Sequence, residues 1–333
     1  MKKYNLAVIG ATGMVGRTFL KVLEERKLPI ENYYLFASSK SAGEKLEFMG
    51  KEYEVLELTE NSFDNGNIDI ALFSAGGSTS LKFSPIAAEK GCVVIDNSSA
   101  WRMDPNVPLV VPEVNPKDIQ GHKGIIANPN CSTIQAVVAL KPLHDKYNIK
   151  RIIYTTFQAV SGAGRQGWMD LENGLKGESP KKFPHPIAGN VLPHIDVFEK
   201  SGYTKEEIKM INETRKILHE PAMRITSTTV RVPVFNSHSE SINVEFEKDF
   251  DVKELMQTLE QAPGVIVQDD VENNVYPLPI NASGKDEVFV GRIRRDESIQ
   301  SGINMWVVSD NIRKGAATNA VQIAEELIKY WGK

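Results

Sequence analysis

Cysteine is nearly absent: Cys92 and Cys131 are the only two in 333 residues. That excludes a disulfide framework or a zinc cluster and points to a reducing, cytoplasmic compartment. An excess of either charge is missing too, with 39 Lys and Arg against 43 Asp and Glu and no basic run beyond "KK" or "RR". Nucleic acid is therefore not an expected partner. No run approaches the roughly 18 apolar residues that cross a bilayer, so no membrane partner is expected. None of the six histidines sits in an H-E-x-x-H pair, and no metal is expected. The opening "MKKYNLAVIGATGMVGR" has the charged start of a signal peptide, but its apolar part is short, broken by glycine and without a small-residue cleavage site.

At 41% hydrophobic and 25% charged, the chain suffices for two globular domains. From residue 5 to about 130, short β-branched runs alternate with helix-like segments: "NLAVI", a stretch with Phe19, Leu20 and Leu23 on one stripe, then "YYLFA", "IDIALFSA", "CVVID" and "GIIAN". Such alternation predicts a parallel sheet with crossover helices, an α/β fold. Beyond Arg151 the runs lengthen, as in "RIIYTTFQAV", "ITSTTVRVPVF" and "ESINVEFE", with helices such as "TKEEIKMINETRKIL" between them. This predicts an α+β second domain. The boundaries are 1–130 and 131–313, with a C-terminal helix over 314–333 whose Val321, Ala324, Ile328 and Trp331 make an apolar stripe to pack back on the first domain. No internal repeat interrupts this order.

In "AVIGATGMVGRTFL", Gly10, Gly13 and Gly16 follow a strand and open a helix. Glycine lets the backbone approach a pyrophosphate, which the helix N-terminus then holds. A tight turn without a ligand is the plainer reading; the strand-to-helix context favours the dinucleotide. NAD sites commonly place an acid after the second strand for the ribose hydroxyls. Here "YYLFA" runs into Ser38, Ser39, Lys40 and Ser41, which suits the 2′-phosphate of NADP, although a merely polar loop would look the same.

Why is one of so few cysteines placed in "NPNCSTIQAVVAL"? Asn130 is a good N-cap, and Ile134, Val137, Val138 and Lys141 predict a helix with one dry and one wet face, so Cys131 falls in its first turn. There the helix dipole lowers a thiol pKa from ~8.5 toward neutrality. A small buried residue would fit the position equally well, as it does for Cys92 inside "CVVID". His238, in the polar turn of "RVPVFNSHSES", is a candidate base accessible to solvent and titrating near neutral pH. Arg231 is a fork-shaped donor for a carboxylate, set among apolar neighbours. Thiol, imidazole, arginine and nicotinamide together suggest acyl chemistry: a carboxylate accepts a hydride poorly, whereas an acyl phosphate can pass its acyl group to a thiolate as a reducible thioester.

At this point the chain resembles the aspartate-β-semialdehyde dehydrogenase family in its bacterial form. The resemblance rests on "GATGMVG", "SAGGSTS", "DNSSAWRMD", "VPLVVPEVN", "NPNCSTIQ", "TTFQAVSGAG", "RVPVFNSHSES", "FVGRIRRD" and "MWVVSDNIRKGAA", which span nearly the whole length. It implies a Rossmann-type NADP-binding domain and an α+β substrate and dimerisation domain like that of glyceraldehyde-3-phosphate dehydrogenase. It implies Cys131 as nucleophile, Gln158 as the residue orienting the acyl intermediate, and His238 as acid/base. It likewise implies Arg231 for the substrate α-carboxylate, Glu213 for its α-amino group, and Arg102 with Lys216 for phosphate. On the residues alone, Glu213 and Lys216 read as an exposed i,i+3 pair worth a few tenths of a kcal/mol. The resemblance further implies cofactor contacts from Gly10, Thr12, Gly13, Met14 and Val15, from Ser38 and Ser41, and, beside the nicotinamide, from Ser161, Gly162 and Asn311. The segment "GLKGESPKKFPHP", residues 174–186, matches no motif of the family.

The implied reaction is NADPH-dependent conversion of 4-phospho-L-aspartate to L-aspartate 4-semialdehyde and inorganic phosphate through a Cys131 thioester, in lysine, threonine, methionine and isoleucine biosynthesis, by a homodimer or tetramer. The nearest rival is a reductase of N-acetyl-γ-glutamyl phosphate, whose acetylated substrate has no use for an acid such as Glu213. A short-chain dehydrogenase fits less well, since no tyrosine has a lysine four residues on. A non-catalytic nucleotide-binding regulator is the reading from another class.

Overall fold

Alternating runs in the first third of the chain become strands because each is short, β-branched and bounded by glycine or polar turns. The computed structural model describes residues 2–64 and 67–332. The strands are β1 (Tyr4–Ile9), β2 (Ile30–Ala37), β3 (Lys45–Phe48), β4 (Lys51–Glu54), β5 (Leu56–Glu57), β6 (Ile70–Phe73), β7 (Val93–Asp96) and β8 (Ile125–Ala127), with helices α1 (Met14–Arg26) and α2 (Gly77–Glu89). β3 and β4 form a hairpin, and the other six strands make one parallel sheet in the order β5-β2-β1-β6-β7-β8. Counted within the sheet, this is the doubly wound order 3-2-1-4-5-6, whose switch point lies between β1 and β6.

The remaining elements are α3 (Cys131–Tyr147), β9 (Ile149–Gln158), α4 (Gly164–Gly174), α5 (Lys205–Ile217), β10 (Arg224–Arg231), β11 (His238–Phe246), α6 (Val252–Glu260), β12 (Val265–Val267), α7 (Pro279–Ala282), β13 (Val288–Asp296), β14 (Gly302–Ser309) and α8 (Asn319–Trp331). The second sheet is mixed, in the order β10-β9-β11-β14-β13-β12. The chain divides into two compact units, one of residues 1–130 with 316–333 and the other of residues 131–315. In the first, Ala320, Val321, Ile323, Ala324 and Leu327 of α8 join the core built by Leu6, Val8, Phe19, Leu23 and Ile70. Asn128 ties that return: its amide donates to the Ala316 carbonyl at 3.2 Å and its carbonyl accepts from Asn319 at 2.7 Å.

α3 departs from expectation. Residues 132–140 are buried all round, not on one face. The helix lies against β9, β11, β13 and β14 and also meets α5 and α6, so along residues 132–140 no side remains for water, and only the last turns, with Asp145 and Lys146, are exposed. Its hydrophobicity is correspondingly spread, with small Ser, Thr and Ala residues at its close contacts.

Candidate active site

Strand register delivers the catalytic candidates. Gln158 ends β9 and is paired with Arg231, which ends β10, while β11 runs antiparallel to β9 and begins at His238. Three adjacent strands thus bring an amide, a guanidinium and an imidazole to one end of one sheet, on its helix-covered face, all at least nine-tenths buried. Cys131, half-buried, opens α3 within the same unit, and its sulfur interacts electrostatically with Arg231. Gly162 marks where Arg231 and His238 converge. A Cβ there would stand 2.9 Å from Arg231 Nη1 and 3.2 Å from His238 Nε2, so any larger residue would push both aside.

His238 is not the accessible turn residue expected from its polar surroundings. It is fully buried, and its Nδ1 accepts the Ala159 N–H at 3.0 Å. Burial, then the nearby Arg231 cation, hold its pKa well below the ordinary imidazole value, so the ring is neutral. With Nδ1 accepting, the hydrogen resides on Nε2, which has no hydrogen-bond partner among the described residues. The preceding Ser237 takes a left-handed φ of 71°, and Asn311 holds that turn by accepting the Ser237 N–H at 2.9 Å. Asn311 also exchanges hydrogen bonds with Ser161 at 3.1 and 3.2 Å.

Arg231 donates Nη1 to the Ala159 carbonyl at 2.6 Å, and its Nε and Nη2 have no hydrogen-bond partner among the described residues. Burial lowers its pKa; the Glu206 carboxylate and the Cys131 sulfur work the other way. Glu206, absent from the sequence reading, accepts from Gln158 Nε2 at 3.1 Å and from Lys209 at 3.2 Å, while Gln158 Oε1 accepts from Thr156 at 3.1 Å. Its only sequence signal was the helix start "TKEE", where Thr204 and Glu207 form a capping box and Glu206 looks like one more acid near a dipole. Glu213 lies two turns further along the same face of α5 and is 1% exposed, so the exposed-pair reading of Glu213 and Lys216 fails. Lys216 is half-buried.

Glu240 was also missed. It is fully buried on β11, and neither oxygen makes a well-formed hydrogen bond among the described residues. Burial drives its pKa well above the usual carboxylate range, against the weaker pull of the Ser132 hydroxyl. Cys92 is buried just ahead of β7, and burial likewise raises its thiol pKa, as expected of a core residue.

The other unit carries the glycine loop. Gly10 takes φ 84°, and a Cβ on it would stand 2.5 Å from the Ser74 carbonyl at the end of β6, in the crevice at the switch point. A Cβ on Gly16 would fall 2.0 Å from the Gly10 carbonyl, so the loop can close onto α1 only with glycine there. Gly13 caps α1 without a side chain, ahead of the partly buried Met14 and Val15. Thr12 Oγ1 lies 3.4 Å from Ser41 Oγ, which brings the loop and the end of β2 together, with Ser38 exposed beside them. A cradle of backbone and hydroxyls with no acid after β2 fits a dinucleotide phosphate. Arg102 is in this unit, 8% exposed, with Nε on the Asn128 carbonyl and Nη2 on the Asn97 carbonyl, each at 3.0 Å.

Fold and site define a two-domain nicotinamide-dependent oxidoreductase with a helix-opening cysteine. Residues 5–122 match the model of the semialdehyde dehydrogenase NAD-binding domain and residues 140–314 that of the semialdehyde dehydrogenase dimerisation domain. An aspartate-semialdehyde dehydrogenase of Aquifex aeolicus is 62% identical over 98% of both chains, and that of Campylobacter jejuni is 51% identical over 100% of this chain and 99% of its own. A Vibrio cholerae aspartate semialdehyde dehydrogenase II structure, complexed with ASA, superposes with a TM-score of 0.95 at 48% identity over 99% of each chain. A Candida albicans structure with NADP superposes with 0.77 at 28% identity over 98% of each. The chain belongs to the aspartate-semialdehyde dehydrogenase family.

Proposed function

We propose that the chain reduces 4-phospho-L-aspartate to L-aspartate 4-semialdehyde with NADPH, releasing inorganic phosphate, as a step toward lysine, threonine, methionine and isoleucine. The observation that carries this reading is the convergence of Arg231 and His238 at Gly162, in the unit that Cys131 opens. The Cys131 thiolate adds to the acyl carbon, the oxyanion collapses, and phosphate leaves with the C–O bonding pair. A thioester remains on Cys131. When bound, the reduced nicotinamide supplies the hydride. His238 then donates a hydrogen bond from Nε2–H to the new oxyanion, the C–S bond breaks, and the pair returns to sulfur, so no net proton is required. This refines the expected acid/base role, because a buried neutral imidazole acts best as a fixed donor.

Arg231 presents Nε and Nη2 to the α-carboxylate, and buried Glu213 suits a free α-ammonium group better than an acetylated one. Gln158, fixed by Thr156 and Glu206, orients the acyl group. Arg102 and Lys216 bind phosphate. Gly10, Thr12, Gly13, Met14 and Val15 hold the pyrophosphate; Ser38 and Ser41 accept the 2′-phosphate; Ser161, Gly162 and Asn311 flank the nicotinamide. The assembly is a homodimer through the dimerisation domain.

The test follows NADPH formation at 340 nm from aspartate semialdehyde, phosphate and NADP, with N-acetylglutamate semialdehyde alongside. Cys131→Ala should lose at least about 1000-fold in kcat with unchanged thermal melting. Substantial residual turnover would refute the covalent route, and preference for the acetylated aldehyde would replace the substrate.

A further inference from the structure

The segment 174–186 leaves α4 and returns beside Arg231. Asp170 on α4 determines its path. The carboxylate, 5% exposed, accepts the backbone N–H groups of Lys181 at 2.9 Å, Lys182 at 2.7 Å and Phe183 at 2.9 Å. Burial alone would raise the pKa of Asp170; the three N–H groups outweigh it and hold the carboxyl below its usual range. Three successive amides on one carboxylate fix the backbone leading into Phe183, while Lys181 and Lys182 project into water.

The Phe183 ring packs on Val160, Leu171, Ile187 and Leu192 together with Trp168. Its centroid lies 5.9 Å from the guanidinium carbon of Arg231. Gly167 makes room for it, since a Cβ there would come within 3.1 Å of Phe183 Cζ. The main chain of Arg231 is held by Leu192 through paired bonds of 2.8 and 2.9 Å, and its Nη1 by Ala159, while the Phe183 ring is the aromatic contact that limits swing of the guanidinium plane. A flexible cation fixed on three sides loses less freedom when it binds a carboxylate.

We propose that the Asp170-anchored loop is a positioning device for substrate recognition, with Phe183 holding the Arg231 fork in the orientation that receives the α-carboxylate. Phe183 is a positioning residue; it acts through Arg231. The inference rests on the reading of Arg231 given above.

Steady-state kinetics of the full-length enzyme test it, with aspartate semialdehyde, phosphate and NADP varied in turn. Phe183→Leu, which keeps apolar bulk but removes the aromatic face, should raise KM for the semialdehyde about 5- to 30-fold, the loss of one desolvated cation–π contact, with kcat and the KM for NADP within about twofold. Phe183→Tyr should restore wild-type KM. Asp170→Asn should reproduce the KM effect and speed tryptic cleavage after Lys181 and Lys182. If Phe183→Leu lowers thermal stability with KM unchanged, or if Phe183→Tyr fails to rescue, Phe183 is only core packing and the proposal falls. Arg231→Leu separates the two levels: a raised KM there with none in Phe183→Leu overturns this inference alone, whereas an unchanged KM in Arg231→Leu overturns the reading beneath it as well.

Discussion

His238 and Glu240 are two residues apart on one strand and both fully buried, yet their stabilities respond to pH in opposite directions. The imidazole pKa is lowered in the fold, so the unfolded chain binds more protons as pH falls below about 6.5, and stability declines with it. The carboxyl pKa is raised, so the folded chain keeps a proton that the unfolded chain releases above about 4.3, and stability declines as pH rises from there toward the folded value. Glu240→Gln keeps the shape of the neutral acid and removes the second effect. Its melting temperature should exceed the wild type's at pH 8 and match it at pH 4.5, with kcat preserved; calorimetry at the two pH values checks this. A lower melting temperature at pH 8 would mean that Glu240 is ionised in the fold. Neither burial was legible in "SHSES", which has the composition of a turn. Residues become buried there because β11 sits between β9 and β14, and composition does not report the neighbours of a strand.

The element scale shows where local sequence sufficed. "NLAVIGATG" closes a strand onto a helix through glycines whose missing Cβ atoms face carbonyls, and that steric demand is local enough to be written in the sequence. Gly16→Ala should lower stability by about 1–3 kcal/mol, since the new methyl meets the Gly10 carbonyl and Ala11 Cα and one must move; thermal melts and NADP titration should show both a lower Tm and weaker binding. Wild-type values for both would refute the close packing. α3 and α5 were found as helices, but their surroundings were not: α3 was expected to be half wet, Glu206 was not singled out, and Glu213 read on the residues alone as a solvent-facing acid. A helix period identifies an apolar stripe, whereas a second layer on the opposite face leaves no periodic trace.

At the scale of the molecule, the face of the second sheet opposite α3 carries a 360 Å³ cleft bounded by Ser241, Arg292 and Trp306. Tyr276 and Leu278 line it, and Ile280, 82% exposed, lies two residues beyond. A dimerisation domain with such a face is expected to bury it against a second copy. Ile280→Asp should weaken self-association by at least about 10-fold, because a two-fold contact loses the side chain twice, at ~1.5–3 kcal/mol for each large apolar group. Sedimentation velocity over a concentration series measures it. An unchanged dimer would put the contact elsewhere.

By itself the sequence determined the alternating strands and helices of the first unit, its glycine loop and the place of Cys131 at a helix start, because hydrophobic period, glycine placement and helix starts are short-range properties. Tertiary structure decided the rest: which nitrogen of His238 carries hydrogen, that Glu206 holds Gln158, that burial drives the Glu240 pKa well above the usual carboxylate range, and that residues 174–186 bring a ring to Arg231. Each of these depends on groups far apart in the chain sharing a dry space, where the loss of water sets charge and hydrogen-bond direction.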